Sequence, residues 1–369
     1  MADTITIPKP FDPHVHGRDG AILRTVGPMT ARQCWGAIFE PNLVPPITSV
    51  DQARAYRERI YFACGGEGSF EPLVLAYLTD DLDPRELARG LAEGVFIGAK
   101  FYPRGATTNS DSGIVDVTRL WKKGSRQFDL IRALTDHRRV CQLHCELNHT
   151  LDGEELDPYD KEAYFFQEVM PRLMEAHPDA RFSCEHLTSK EGAEFLFEHG
   201  SWNLGCSITP HHLLFDRRDM FRGGLCPHFF CLPVIKRTEH GEALLKLIAY
   251  GRPFVYAGTD SAPHDRRKKE SDCCSGGMFS AHAAVELYAQ VFEGIGLLEG
   301  RHFPEFLSIN GPKFYDLFPS EETVTLVREP WTVDSMIQYS ENPEDVIVPI
   351  GYHPDPEKRL VLNWKLRTA

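Results

Sequence analysis

The sequence has 369 residues, of which 42% are hydrophobic and 25% are charged. Its 53 acidic and 40 basic side chains give a formal net charge of −13. The apolar fraction excludes a disordered chain. The net acidity argues against broad binding to nucleic acid or to an anionic membrane, since both need a basic face.

The sequence also carries signals about location and redox state. No apolar run reaches the roughly 18 residues that a membrane span needs. The N-terminal segment MADTITIPKPFDPHVHG has no basic stretch followed by an apolar one, so we expect no secretory signal and a cytoplasmic protein. The 10 cysteines form no CxxC pair, and we expect free thiols rather than a disulfide framework.

Short runs rich in β-branched, aromatic and cysteine residues recur along the chain, with little alternation between polar and apolar positions. This pattern predicts strands that are buried on both faces, as in a parallel sheet. Helical periodicity follows most of these runs. The predicted strands cover residues 5–16, 35–41, 72–78, 95–102, 140–145, 181–186, 204–209 and 254–259, and the predicted helices cover 52–62, 86–93, 127–135, 162–175, 190–198, 242–249 and 281–294.

Three of the helix starts carry capping signals. Thr48 and Thr188 are each followed three residues later by a carboxylate, which fits a capping box. Asp83 stands before Pro84, which places a cap residue ahead of a proline at the first helical position.

Eight strands that alternate with helices predict a closed (β/α)8 TIM barrel rather than an open doubly wound sheet. No GxGxxG motif follows the first strand, as it would in a dinucleotide-binding sheet. No linker divides the chain, so we expect a single domain over residues 1–369. The segment from about 295 to 369 is predicted to be a C-terminal extension that packs on the barrel.

Histidines recur at the ends of the predicted strands. His14 and His16 are two residues apart on the first strand, so their imidazoles point to the same side. Imidazole is a common zinc ligand. The pair alone also fits two polar rim residues. Arg18 follows within reach of anything that these histidines bind.

Three later residues occupy the corresponding place on other strands. His144 and His186 end the fifth and sixth predicted strands, and Asp260 closes the eighth. The active site of such a barrel lies at this end of the strands. Asp260 would serve there as a carboxylate ligand and proton acceptor, although an aspartate can also cap a following helix.

Lys100, on the fourth predicted strand, is the unusual member of this set. An ammonium group cannot bind a cation, but burial favours the neutral and reactive amine. Carbamylation by CO₂ would convert that amine into an anionic ligand able to bridge two metals. An ordinary rim lysine is the alternative.

The motifs around these residues resemble the dihydroorotase family of the amidohydrolase superfamily, in its shorter bacterial form. The similarity runs from about residue 10 to residue 315. The blocks that carry it are HVHGRDG, EPNLVPPITSV, YLTDDLDPRELARG, GAKFYPRGATTNS, EHLTSK, CLPVIKR, GTDSAPHDRRKKES and INGPKFY.

The resemblance implies an enzyme that reversibly converts N-carbamoyl-L-aspartate to L-dihydroorotate and water in de novo pyrimidine (UMP) biosynthesis. It further implies two Zn²⁺ per subunit, or other divalent metals, bridged by a hydroxide and by a carbamate on Lys100 (N6-carboxylysine), with Asp260 as the general base. The implied ligands are His14, His16 and Asp260 for the more buried metal, and His144 and His186 for the more exposed one.

The resemblance also implies how the small-molecule substrate is held. Arg18 offers a two-pronged clamp for a carboxylate, and Asn42 and His264 offer further hydrogen bonds. Leu232, Gly276 and Gly277 would contribute backbone contacts, and Thr107 and Thr108 would lie on a lid; an exposed loop is the alternative for these two threonines. A homodimer without nucleic-acid or membrane partners is implied as well.

Some positions depart from the family pattern. Pro13 and Gly17 replace bulkier residues beside the histidines, and His211 stands where the family has Gln, before the usual His212. We interpret both histidines as structural, although His211 could compete for metal. Cys273 and Cys274 are adjacent, a spacing at which two thiolates bind one metal poorly.

Two other functions fit parts of the sequence. One is another cyclic-amide hydrolase of the hydantoinase or dihydropyrimidinase kind, for which Arg18, Asn42 and His264 would be poorly suited. The other is a catalytically silent relative that acts in assembly, which would have lost metal ligands.

Overall fold

The computed structural model describes residues 3–66, 68 and 70–367. After a short strand β1 (Thr4–Pro8), eight parallel strands form one sheet in which each pairs with the next along the chain. A parallel bridge between Val15, at the end of the first barrel strand, and Ser261, just after the last barrel strand, closes the barrel. The predicted (β/α)8 fold is confirmed. The strands are β2 (Phe11–Val15), β3 (Gly36–Phe39), β4 (Glu71–Leu78), β5 (Phe96–Phe101), β6 (Val140–Leu143), β7 (Arg181–Cys184), β8 (Leu204–Ile208) and β9 (Val255–Ala257).

Helices follow the barrel strands and cover the sheet. The first ten are α1 (Gly20–Gln33), α2 (Val50–Ala63), α3 (Pro84–Ala92), α4 (Arg126–Asp136), α5 (Lys161–Tyr164), α6 (Met170–Ala176), α7 (Lys190–His199), α8 (Pro210–Leu214), α9 (Thr238–Ala249) and α10 (Arg266–Lys269). A π-helical turn at Phe165–Val169 joins α5 to α6, so the predicted helix 162–175 is continuous in space. Most barrel strands are buried along their whole length, because their inner side chains fill the barrel and their outer ones meet the helices.

Two capping predictions are wrong by one residue. Ser49, not Thr48, caps α2 and forms a capping box with Gln52. Ser189 caps α7, because the hydroxyl of Thr188 donates instead to the buried carboxylate of Glu162 at 2.7 Å. The third prediction is confirmed, since the side chain of Asp83 accepts from the backbone N–H of Arg85.

The predicted first strand 5–16 is two strands in different sheets. β1 pairs antiparallel with β10 (Thr323–Thr332), which in turn pairs with β13 (Val361–Leu366). Pro8 and Pro10 interrupt the ladder because proline has no backbone N–H. A helix that the pattern did not predict, α1, follows the first barrel strand and contains Pro28.

The last 75 residues contribute both helices and strands. After α11 (Ala284–Gly294) come α12 (His302–Pro304), a π-helical turn at Glu305–Ile309 and α13 (Asn310–Phe314), which packs on β2 and β9. A two-stranded sheet consists of β11 (Ile337–Gln338) and β12 (Val346–Ile347). Among the described residues no helix is long and apolar enough to cross a membrane, and no disulfide joins any two cysteines.

Candidate metal and active site

The six candidate ligands converge at the carboxyl end of the barrel strands. His14 is the penultimate residue of β2 and Lys100 that of β5. His144 directly follows β6, and the remaining three come one to three residues after β2, β7 and β9: His16, His186 and Asp260. His186 and Asp260 both have a left-handed backbone with φ of 43°. Such a conformation costs energy in a residue with a side chain, and it is typical of functional sites.

Three of these residues present ligand atoms to one point. The carboxylate Oδ1 of Asp260 lies 3.4 Å from Nε2 of His14 and 3.1 Å from Nε2 of His16. His14 and Asp260 are almost fully buried. Burial raises the pKa of Asp260, but the neighbouring histidines and Lys100 outweigh it and hold the pKa below its usual value.

A hydrogen-bond acceptor beside Nδ1 of each imidazole determines which ring nitrogen carries the proton. Nδ1 of His14 lies 2.8 Å from a carboxylate oxygen of Glu185, and Nδ1 of His16 lies 2.9 Å from the amide oxygen of Asn42. Because both oxygens accept, both Nδ1 atoms donate, and each Nε2 keeps its lone pair. Two bare imidazole nitrogens and a carboxylate therefore face one another, an arrangement that fits a divalent cation.

The second pair of histidines lies beside the first group. Nδ1 of His144 is 3.1 Å from Nε2 of His186, and the rings of His14 and His186 have centroids 5.1 Å apart. Burial lowers the pKa of His14 and His186 well below the usual value, which keeps both imidazoles neutral and able to bind a metal.

Lys100 is completely buried within this cluster. Its Nζ lies 3.5 Å from a carboxylate oxygen of Glu40 and 5.2 Å from the centroid of the Tyr102 ring. No described residue forms a hydrogen bond with Nζ. A buried amine with unused hydrogen-bonding capacity near these imidazoles suits a ligand once it is carbamylated, and so the chemistry of the donor set fits two metals.

A small pocket that is partly open to solvent lies over these residues. Its walls bring together four of the candidate ligand histidines, Asp260 and most of the predicted substrate contacts. The predicted substrate and lid residues that line it are Arg18, Asn42, Thr107, Thr108, Leu232, Gly276 and Gly277. Lys100 lies beneath the floor.

His264 stands behind Arg18 rather than in the cavity wall. Its Nε2 is 2.9 Å from Nη2 of Arg18 and 3.0 Å from the carbonyl oxygen of Gly276. Nε of Arg18 donates to the carbonyl of Pro263. Burial and the neighbouring Arg18 hold the pKa of His264 well below its usual value, so a neutral imidazole orients the guanidinium.

Thr107 and Thr108 both line this pocket. The hydroxyl of Thr108 donates to the carbonyl of Gly276 at 3.1 Å, and its own carbonyl accepts from the amide of Asn42 at 3.0 Å. Thr108 therefore links Gly276 to Asn42 across the site, whereas Thr107 contacts Ser110 of its own loop.

Comparisons with known proteins agree with this geometry. No family model matches the chain. Curated relatives named dihydroorotase span nearly its whole length: that of Erwinia tasmaniensis is 43% identical over 343 residues, covering 93% of this chain and 94% of the relative. That of Marinobacter nauticus is 42% identical over 367 residues, covering 99% and 100%. The chain belongs to the dihydroorotase family. By that membership it is a metal-dependent cyclic amidohydrolase.

Solved structures place the chain in the same family. Dihydroorotase from Saccharomyces cerevisiae, in complex with 5-fluoroorotic acid, has a TM-score of 0.87 at 27% identity and covers 99% of both chains. Dihydroorotase from Campylobacter jejuni has a TM-score of 0.84 at 30% identity, covering 100% of this chain and 98% of its own. An L-hydantoinase from Arthrobacter aurescens, with a TM-score of 0.73 at 14% identity, shares the fold.

Three buried glutamates at the site were missed by the sequence reasoning. Glu40 lies 3.6 Å from Nε2 of His14 and accepts a hydrogen bond from Tyr102, while Glu185 and Glu146 lie against His14 and His144. A signal was available, because two of these glutamates are within two residues of a predicted ligand. No spacing rule distinguishes such carboxylates from exposed ones.

The structure describes the surroundings of Gly17, His211 and His212. A side chain at Gly17 would come within 2.7 Å of the Phe39 ring, so the glycine is required by close packing. The nitrogens of His212 are engaged by Thr209 and by the carbonyl of Pro233. His211 is completely buried, and burial lowers its pKa to about 4. Its ligand atom lies within 4.8 Å of those of His212 and Cys231.

Proposed function

We propose that the chain catalyses the reversible cyclisation of N-carbamoyl-L-aspartate to L-dihydroorotate and water, a step of de novo pyrimidine biosynthesis. The observation that carries this proposal is the convergence of four histidines, Asp260 and Lys100 at one small pocket that Arg18 and Asn42 also line. A metal centre and a carboxylate clamp on one small cavity suit a cyclic amide that bears a carboxylate.

The proposed metal centre contains two divalent cations. His14, His16 and Asp260 would hold one, and His144 and His186 the other, with Lys100 as N6-carboxylysine between them. Zn²⁺ suits this set of imidazole and carboxylate donors, and other divalent metals are compatible with it. When bound, such a pair supplies Lewis acidity that polarises the scissile carbonyl and acidifies water.

Asp260 has the position and charge of the general base. In the hydrolytic direction its carboxylate accepts a proton from the attacking water and returns it to the departing ring nitrogen. In the biosynthetic direction the same two transfers run in reverse. Its low pKa keeps it ionised at neutral pH, so it is ready to accept a proton.

Arg18 is proposed to bind the carboxylate of the substrate. Its Nε is held by Pro263 and its Nη2 by His264, so the plane of the guanidinium is fixed before substrate arrives. The amide of Asn42 and the backbone at Leu232, Gly276 and Gly277 complete the wall. This preorganisation lowers the entropy cost of binding.

The alternatives lack such support. A hydantoinase-like substrate without the carboxylate leaves the remaining N–H donors of the Arg18 guanidinium without a charged partner, which is unfavourable. A catalytically silent relative is disfavoured because all six candidate ligands lie together at one site.

We also propose a cytoplasmic homodimer that acts on a small molecule, without nucleic-acid or membrane partners. Light scattering on the purified chain tests the dimer.

The deciding experiment is metal analysis of the purified chain combined with an assay of dihydroorotate hydrolysis by ring absorbance. We expect about two divalent metals per chain and turnover that chelation abolishes. A ring that lacks the carboxylate serves as the comparison substrate. Equal turnover of both rings would contradict the assignment of Arg18 and the proposed substrate.

A further inference from the structure

Two buried glutamates face the far sides of two proposed metal ligands, one in each half of the centre. Glu185 lies against His14 and Glu146 against His144, and neither carboxylate is exposed to solvent. An isolated buried carboxylate is costly, so its position calls for a specific partner.

Glu185 is held by several hydrogen bonds. One of its oxygens accepts from Nδ1 of His14 at 2.8 Å and from the hydroxyl of Ser207 at 2.7 Å. The other accepts from Ser183 and lies 3.4 Å from the hydroxyl of Tyr315. Neighbouring groups fix both oxygens of Glu185, so its carboxylate accepts a hydrogen bond from His14 at Nδ1 only. Nε2 of His14 then faces Asp260.

Ser207 fixes the position of this carboxylate. Its hydroxyl donates to Glu185 and accepts from the backbone N–H of the next residue, His186, at 2.9 Å. The side chain of Glu185 is therefore held against the backbone of its own turn.

Glu146 has the corresponding place beside His144. One carboxylate oxygen lies 3.3 Å from Nε2 of His144, and no described residue forms a hydrogen bond with either oxygen. Nδ1 of His144 points instead toward His186. A proton on Nε2 would satisfy Glu146 and leave Nδ1 free to bind a metal together with Nε2 of His186.

We propose that Glu185 and Glu146 are positioning residues that select the metal-binding nitrogen of His14 and of His144, each acting on one metal. This inference rests on the metal centre of the proposed function. Carboxylates behind ligand histidines fix the tautomer and raise the basicity of the ring, and losing one costs about 10- to 100-fold in metal affinity.

The test measures the two zinc dissociation constants of the full chain by competition with a chromophoric chelator. We expect Glu185→Gln to weaken one equivalent about 10- to 100-fold and Glu146→Gln to weaken the other. In a His16→Ala background, which already lacks the first site, Glu185→Gln should add nothing to the remaining equivalent, whereas Glu146→Gln should still weaken it.

Glu286→Gln is the matched control, because Glu286 is a buried glutamate that contacts the backbone N–H of Leu366 far along the chain from the ligands. It should leave both constants unchanged. Wild-type constants in both positioning variants would overturn the inference. So would a parallel loss of both equivalents with a lower melting temperature of the metal-free chain. A wild-type chain that binds no divalent metal would instead overturn the proposed function.

Discussion

At the scale of single residues, the environment behind each ligand matters as much as the ligand itself. His14 and His16 both present Nε2 to Asp260, because Glu185 and Asn42 accept hydrogen bonds from Nδ1 of the two rings. Without these acceptors an imidazole could turn its N–H toward the metal and lose its affinity. Each of these two histidines therefore depends on the hydrogen-bond acceptor behind it.

Asp260→Asn separates proton transfer from metal binding. We expect turnover to fall by about 10³-fold or more, since an amide cannot accept the proton, while most of the metal is retained because an oxygen ligand remains. Steady-state rates and metal analysis of the same preparation measure both effects. Wild-type rates in this variant would remove Asp260 from the mechanism.

Arg18→Met tests the carboxylate clamp. Loss of a charged hydrogen-bonding partner should cost about 1.5–3 kcal/mol, which corresponds to a rise in KM of about 10- to 150-fold. Arg24→Met, at an exposed position on α1, is the control and should leave KM unchanged. If the KM of Arg18→Met equals that of the control, another group binds the carboxylate.

The sequence predicts that the candidate ligands lie together, and there is a physical reason for this. A residue at the end of a parallel strand faces the open end of the barrel, so His14, His144, His186 and Asp260 can be grouped by position alone. The three glutamates behind them could not be predicted, because their burial depends on packing between different strands. The contact of His264 with Arg18 could not be predicted either, because it joins residues that are 246 positions apart in the sequence.

At the scale of elements, one wall of the cavity is held by a single lysine. Nζ of Lys269, at the end of α10, donates to the carbonyl oxygens of Phe230, Ser275 and Gly277 at 2.6, 2.9 and 2.8 Å. These contacts join the loop that contains Phe230 to the loop that contains Gly276. An ammonium has three N–H donors, and all three are used.

The pH dependence of this wall follows from burial, which lowers the pKa of Lys269 from 10.5 to about 8. Above pH 8 the neutral amine has only two N–H donors for three carbonyls, so we expect KM to rise between pH 8 and 9.5. Lys269→Met should have a raised KM throughout this range without the further rise. A parallel KM profile in the two proteins would contradict the role of Lys269.

The same shift has the opposite sign for global stability. Because the folded-state pKa lies below the unfolded value, the unfolded chain binds more protons between pH 8 and 10.5. Burying the charged lysine is therefore a cost that is present below pH 8 and is relieved as pH rises. We expect the unfolding free energy of wild type, relative to that of Lys269→Met, to increase over this window in denaturant titrations.

The accuracy of the element predictions also has identifiable causes. Buried parallel strands give continuous apolar runs, and seven of the eight were located to within a few residues. The first was merged with β1 because two proline-separated strands of different sheets look like one run. Helix α1 was missed because Gly27 and Pro28 weaken its pattern, although Asp19 caps it.

At the scale of the whole molecule, the net charge of −13 describes the surface and not the site. The barrel opening concentrates Glu40, Glu146, Glu185 and Asp260 in a nearly solvent-free region. Burial keeps His14 and His186 neutral and raises the pKa of Glu185 to about 7. In the absence of metal, burying this excess of carboxylates opposes folding.

Metal removal should therefore destabilise the entire barrel, since the ligands come from strands distributed around it. Two sites, each at about 1,000 times its dissociation constant, contribute about 8 kcal/mol together. At about 2.1 cal/mol/K per residue, the 369 residues give a decrease in Tm of about 10 °C on chelation. Calorimetry of the chelated and reconstituted chain measures this difference. In His144→Ala the decrease in Tm on chelation should be about half as large, because only one of the two sites remains. An unchanged Tm after complete chelation would mean that the metals do not stabilise the fold.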